Sequence, residues 1–172
     1  DEDDQEYTLA FPNQEVKYGF LENLMPEYVE DCGSGSGIDI FTFRRYIKQG
    51  NLEKIRDVLI TIFARISYPS TKAEDPFENY FQAVIWLVFT LLGQYADCEI
   101  HTFSGRIDCR VLTPKYIYLF EFKRDKTAQE ALEQIDTKDY ALPFQADNRK
   151  LFKIGVCFDS KERKLADWKV AE

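Results

Sequence analysis

Arg106-Ile107-Asp108-Cys109-Arg110-Val111-Leu112, then Thr113-Pro114-Lys115-Tyr116, then Ile117-Tyr118-Leu119-Phe120-Glu121-Phe122-Lys123: two strand-like runs joined by a proline-containing turn read as a β-hairpin. If Leu112 pairs with Ile117 across the four-residue loop, Asp108 stands opposite Glu121, where cross-strand Cβ atoms are ~5 Å apart. Lys123 falls on the same face, because side chains alternate along a strand. Ile107, Cys109, Val111, Tyr118, Phe120 and Phe122 make the other face, a continuous apolar surface that can anchor the hairpin to a core. Two carboxylates face to face repel each other unless positive charge lies between them. A hard divalent cation, Mg²⁺ or Mn²⁺ in its place, suits such oxygens. The competing reading is an exposed hairpin face carrying ordinary cross-strand charges, with Arg106 near Lys123 and Arg110 near Asp108.

As a bare pattern, an aspartate followed at a distance by Glu-x-Lys is weak. Glu15-Val16-Lys17 and Glu162-Arg163-Lys164 also fit its second half, and Asp159 with Asp167-Trp168-Lys169 fits a looser form. Context separates them. Glu121 and Lys123 end a strongly apolar strand, have an aspartate in the preceding strand and run straight into a helix.

Reading outward supplies that context. Asp75-Pro76-Phe77-Glu78 opens a helix, with Asp75 as N-cap, Pro76 in the first helical position and Glu78 in the third. The apolar run from Phe81 through Trp86 to Leu92 ends at Gly93, and its all-round hydrophobicity predicts a buried helix. It is shorter than the ~20 residues of a membrane span and has Gln82 and Gln94 at its margins. Cys98 to Phe103 alternates as a strand, and Ser104-Gly105 turns into the hairpin. Thr127-Ala128-Gln129-Glu130 is a capping box opening a helix with an apolar stripe of Ala128, Ala131, Leu132 and Ile135. Strands follow over 151–158 and 165–170. A helix, three strands, a helix and two strands predict an α/β fold, a mixed sheet flanked by helices.

This order, with Asp108, Glu121-Phe122-Lys123 and a helical Glu78, resembles the PD-(D/E)XK nuclease superfamily and its αβββαβ restriction-endonuclease-like core. More narrowly, Gly105-Arg106-Ile107-Asp108, Phe120-Glu121-Phe122-Lys123, Ala131-Leu132-Glu133-Gln134-Ile135 and Lys153-Ile154-Gly155-Val156 are similar to the nuclease-like domain at the C-terminal end of predicted AAA-ATPase-like proteins of bacteria and archaea. Phe11-Pro12-Asn13-Gln14-Glu15-Val16 looks like the stretch that leaves the ATPase-like part. The chain carries no Gly-rich phosphate-binding loop and begins at Asp1 rather than Met, so the resemblance implies an ATPase-like domain upstream in a longer protein.

The resemblance also implies roles. Asp108 and Glu121, with the main-chain carbonyl of Phe122 and Glu78 from the first core helix, would bind Mg²⁺. Lys123 would act beside them on the attacking water or the phosphate. Arg106, Gln134 and Tyr140 would contact nucleic acid, DNA before RNA, or support the site, although the spacing from Gln134 to Tyr140 is wider than in the RecB-like pattern. The implied activity is metal-assisted phosphodiester hydrolysis. The alternative is a catalytically silent nuclease fold that binds or regulates an ATPase-like partner domain, since fold alone does not establish chemistry. Glu78 has a plain second reading as a capping-box residue, and Gln134 as a helix residue that is either solvated or supports the site from behind its ligands.

Composition is compatible with this. The chain has 172 residues, 45% of them hydrophobic, enough for a core. Its net charge of −8 sits mostly in residues 1–31, which hold ten acids and one base, whereas 106–126 hold six bases and three acids. That is a local basic footprint of the kind a phosphate backbone would meet. His101 is the single histidine, and Cys32, Cys98, Cys109 and Cys157 include no Cys-x-x-Cys pair, which disfavours zinc and suits reduced thiols in a cytoplasmic protein. Residues 1–70 read as an acidic and helical accessory region. Ser34-Gly35-Ser36-Gly37 is a break in it, and a helix starting at Asn51 packs Leu52, Ile55, Leu59, Ile62 and Ile66 toward the nuclease-like domain of 71–172.

Overall fold

Two helix starts are written into the chain by side chains that satisfy open backbone N–H groups. Asn51 Oδ1 accepts from Lys54 N at 3.1 Å, and Thr127 and Glu130 exchange side-chain and backbone hydrogen bonds in a complete capping box. The computed structural model describes residues 11–29, 40–65, 76–91, 96–102 and 105–172. Helices α1 (Gln14–Tyr28), α2 (Ile40–Gln49), α3 (Leu52–Ala64) and α4 (Pro76–Leu91) precede strands β1 (Ala96–Thr102), β2 (Gly105–Leu112) and β3 (Tyr116–Arg124). Helix α5 (Ala128–Thr137) and strands β4 (Lys150–Asp159) and β5 (Lys164–Ala171) complete the order.

The strands form one mixed sheet in the order β1-β2-β3-β4-β5. Neighbours are antiparallel except β3 and β4, which are parallel. A parallel pair needs a crossover, and α5 provides it. Strand alternation then builds two layers of core. Tyr118, Phe120, Phe152, Ile154, Val156 and Phe158 face the helices α1 to α4 in one large cluster with Leu21, Phe43, Ile55, Phe63 and Phe89. Ile117 and Leu119 face the other way, onto Leu132, Ile135 and Tyr140. Tyr118 is fully buried, and its hydroxyl donates to the Ile47 carbonyl at 2.6 Å, which fastens α2 to the sheet.

The structure bears out the predicted α/β architecture and corrects some of its details. Helices α1 and α2 were not resolved by sequence periodicity. In α4, Val84, Ile85, Leu87, Val88, Phe89 and Leu91 are buried as expected, but Trp86 is 44% exposed, so the helix is not sunk on all sides. Ile107 packs with the α5-side cluster instead of beside Cys109 and Val111. Alternation in β2 therefore fails one residue before Asp108. The expected caps Asp75 and Gly93 and the Ser34–Gly37 break lie outside the described residues. No helix among the described residues is long and apolar enough to cross a membrane.

Helix α5 descends to the sheet over a glycine. A Cβ at Gly155 would collide with the Ala128 carbonyl and come within 3.1 Å of the Ala131 Cβ. Gly155 is also the ladder partner of Glu121. Gly155→Ala should therefore lower the urea midpoint by an amount equal to about 1–3 kcal/mol, the usual cost of overpacking. Gly19→Ala, at a helical position with nothing among the described residues within 4 Å of the new methyl, should raise it by ~0.5–1 kcal/mol.

Candidate functional site

The hairpin register is the one the sequence predicts. Thr113 closes the turn, its N–H donating to the Tyr116 carbonyl at 2.8 Å and its hydroxyl accepting from Tyr116 N at 2.8 Å. Pairing then runs from Leu112↔Ile117 to Cys109↔Phe120. One step further, where the same register would set Asp108 opposite Glu121, the pairing stops and the carboxylate takes its place: Asp108 Oδ2 accepts from the Phe122 N–H at 2.8 Å. The aspartate is thereby pinned to the strand that carries Glu121 and Lys123.

Glu121 is the most constrained member. Its residue exposure is 1%, one of two buried polar or charged residues among the described ones. Its Oε1 accepts from Lys123 Nζ at 2.8 Å and from Gln134 Nε2. Lys123 in turn donates to Gln134 Oε1 at 2.5 Å, so the three side chains form a closed triangle. The other oxygen, Glu121 Oε2, is buried and has no hydrogen-bond partner among the described residues. A buried carboxylate oxygen without a donor is costly. Burial pushes the Glu121 carboxyl up to about 7, the negative charge of Asp108 adds to the rise, and the Lys123 bond and charge and the Asp108 backbone pull against it.

Asp108, Glu121 and Lys123 are thus brought together, with Gln134 reaching down from α5. Gln134 is neither solvated nor idle: it lies at the edge of the buried stripe, three residues after Ala131, and spends both ends of its amide on the site. Tyr140 is 2% exposed and its hydroxyl donates to the Arg106 carbonyl at 2.8 Å, so its ring lies in the core. Arg106 itself is exposed at the start of β2. Glu78 lies on the first turn of α4, and its side chain is outside the described residues. Among the described residues no group of three or more His, Cys, Asp or Glu is arranged to hold a metal ion.

Sequence reasoning did not assign Asp167, which belonged to one of the look-alike motifs. Its Oδ2 accepts from Ala128 N at 2.9 Å and so anchors the start of α5. Of the other look-alikes, Glu162 and Lys164 pair on the surface, and Glu15 and Lys17 lie on α1. The competing reading of an exposed hairpin face fails at Glu121, which is buried beneath α5.

Three comparisons bear on kinship. A family model described as the PD-(D/E)XK nuclease superfamily matches residues 76–168, more than half of the chain. An uncharacterized protein in the vnfD 5′ region of Azotobacter chroococcum mcd 1 is 29% identical over 174 residues, covering 95% of this chain and 32% of its own length. The chain thus spans about a third of the curated relative it matches. No solved structure matches.

The free energy held in Glu121 is testable through pH in metal-free protein. The unfolded glutamate titrates near 4.5 and the folded one near 7, so between these values the folded state holds a proton that the unfolded state has released. That stability is full below 4.5 and is lost as pH rises through 7. Unfolding free energy should fall by on the order of 2–3 kcal/mol across this window. Glu121→Gln, which keeps an acceptor for Lys123 and Gln134, should remove the decline, as urea melts at several pH values would record.

Proposed function

The chain belongs to the PD-(D/E)XK nuclease superfamily, and on that premise we propose that it is a metal-dependent nuclease domain hydrolysing nucleic-acid phosphodiester bonds. The observation that carries this reading is the half-satisfied carboxylate: Glu121 Oε1 accepts from two donors while Oε2 is buried with no hydrogen-bond partner among the described residues, and the Asp108 charge is near enough to act on it. An unmet lone pair next to a second carboxylate fits a hard cation such as Mg²⁺, or Mn²⁺ as its substitute. Asp108 and Glu121 would hold it, with the Phe122 carbonyl and Glu78 completing the set. Such a cation polarises a phosphoryl oxygen and lowers the pKa of bound water.

The remaining work falls to the chain's own groups. Lys123, held by Glu121 and Gln134, keeps an ammonium beside the carboxylates, where it offsets charge developing on the phosphate. The excess of bases over acids in 106–126, with exposed Arg106 at the head of β2, supports a nucleic-acid substrate, DNA before RNA. An ATPase-like domain elsewhere in a longer, cytoplasmic protein is the proposed partner. The family resemblance supports this, as does a relative about three times the length of this chain.

One observation favours the silent-module alternative. Lys123 and Gln134 already satisfy one oxygen of Glu121, and the described residues contain no three-ligand group. The two readings separate by experiment. Asp108→Asn keeps an oxygen for the Phe122 N–H, and Lys123→Met keeps most of the side-chain volume. Each should lower Mn²⁺-dependent cleavage of DNA by roughly 10²-fold or more; Asp108→Asn should leave the melting temperature nearly unchanged, and Lys123→Met should lower it while keeping a cooperative transition, because the buried Glu121 loses one of its two donors. Wild-type protein inert on single- and double-stranded DNA and RNA, with Mn²⁺ and the full-length chain present, would establish the binding module.

Glu78→Gln provides a separate check. As a metal-site residue the glutamate should lose Mn²⁺ affinity on this change, read by calorimetry. As a capping residue alone it should lose neither affinity nor stability, because an amide oxygen accepts the same hydrogen bond.

A further inference from the structure

Helix α5 ends in a way that aims two side chains at the two strands of the site. Tyr140 N donates to the Ile135 carbonyl and Asp139 N to the Asp136 carbonyl, each at 3.1 Å, with Asp139 in the left-handed region at φ 50°. These paired bonds and the left-handed residue make a Schellman turn, which folds the chain back and sets the residue after it against the helix. That residue is Tyr140, which packs with Ile135 and Ile107. Gln134 sits just before the turn.

The two side chains are fully committed. Gln134 donates to Glu121 Oε1 on β3 and accepts from Lys123. Tyr140 donates to the Arg106 carbonyl on β2, two residues before Asp108. Between these points the regular pairing of β2 with β3 has stopped at Cys109↔Phe120, so backbone ladder bonds no longer fix the gap between the strands. The Asp108 bond to Phe122 N and the two contacts from α5 and its turn reach across that gap, while β2 keeps its pairing with β1.

We infer that Gln134 and Tyr140 form a two-point clamp that sets the separation of the Asp108 and Glu121 carboxylates, and that neither side chain contacts the nucleic-acid strand. The inference rests on the metal-site reading above. Gln134 acts by occupying Oε1, which turns Oε2 toward the cation position. Tyr140 acts by holding the start of β2 against the α5 turn. Both are positioning residues. Outer partners of metal ligands typically change metal affinity or activity ~10–100-fold when removed.

The test uses the full chain with Mn²⁺ as the metal probe and a fluorescent DNA duplex as the nucleic-acid probe. Gln134→Met removes both amide bonds in a residue that favours helices, and Tyr140→Phe removes only the hydroxyl while leaving the ring packed. Gln129→Met, on the exposed side of α5, is the control. Calorimetry should show Mn²⁺ affinity reduced about 10-fold in the first two variants and unchanged in the control. DNA affinity measured in EDTA should be unchanged in all three, and kcat should fall in the first two with KM for DNA unaltered. Variants that bind Mn²⁺ as wild type does, whether or not DNA affinity falls, would overturn the clamp while leaving the metal site standing. Wild-type protein that binds no Mn²⁺ would overturn both.

Discussion

A carboxylate placed in the interior of a sheet must be neutralised, hydrogen-bonded or matched to a cation, because burial without compensation is expensive. Glu121 is 1% exposed and meets that demand only halfway, through Lys123 and Gln134 on one oxygen. Much of the surrounding structure follows from keeping this arrangement in place. The crossover helix must lie close enough for Gln134 to reach the strand, which requires the bare backbone of Gly155 directly beside Glu121. The helix start must be fixed, which Thr127, Glu130 and Asp167 do together. The opposite face of β3 must be anchored, and Tyr118 and Phe120 are buried there against helices packed on the other side of the sheet.

The fold was readable because its signals are local. Alternation set the hairpin, a threonine and a glutamate three residues apart set α5, and an asparagine set α3; each is a short-range preference that the tertiary structure keeps. Helix α2 carried a usable signal, since Ile40, Phe43 and Ile47 recur at helical spacing with Tyr46 beside them and pack into the core. Helix α1 has Gly19 and Pro26 inside it, residues that ordinarily speak against a helix. Ile107 broke the two-residue rule where periodicity gives no warning: pairing with β3 stops at Cys109↔Phe120 and the Asp108 carboxylate bonds Phe122 N instead, while pairing with β1 continues.

The members of the site were legible, and their state was not. Register alone brought Asp108 toward Glu121, but a pattern of two carboxylates and a lysine cannot say that one carboxylate is sealed under a helix. The inward aim of Gln134 had a usable signal in its place at the edge of the Ala128, Ala131 and Ile135 stripe. Tyr140 had one too, as the first apolar residue after a helix end with Asp139 in the left-handed position usually given to glycine. The look-alike motifs show the converse. Glu162 with Lys164 has the right letters, yet both are exposed, so the pair has neither burial nor an unmet oxygen to make it reactive.

The central claim is that Glu121 keeps one oxygen for a cation while the other stays with Lys123 and Gln134. Crystals grown with saturating Mn²⁺ and measured at the manganese absorption edge test it most directly. The account predicts an anomalous peak bonded to Glu121 Oε2 and to Asp108, with Lys123 and Gln134 still on Oε1. A fully Mn²⁺-equilibrated crystal with no peak between these two carboxylates would contradict it.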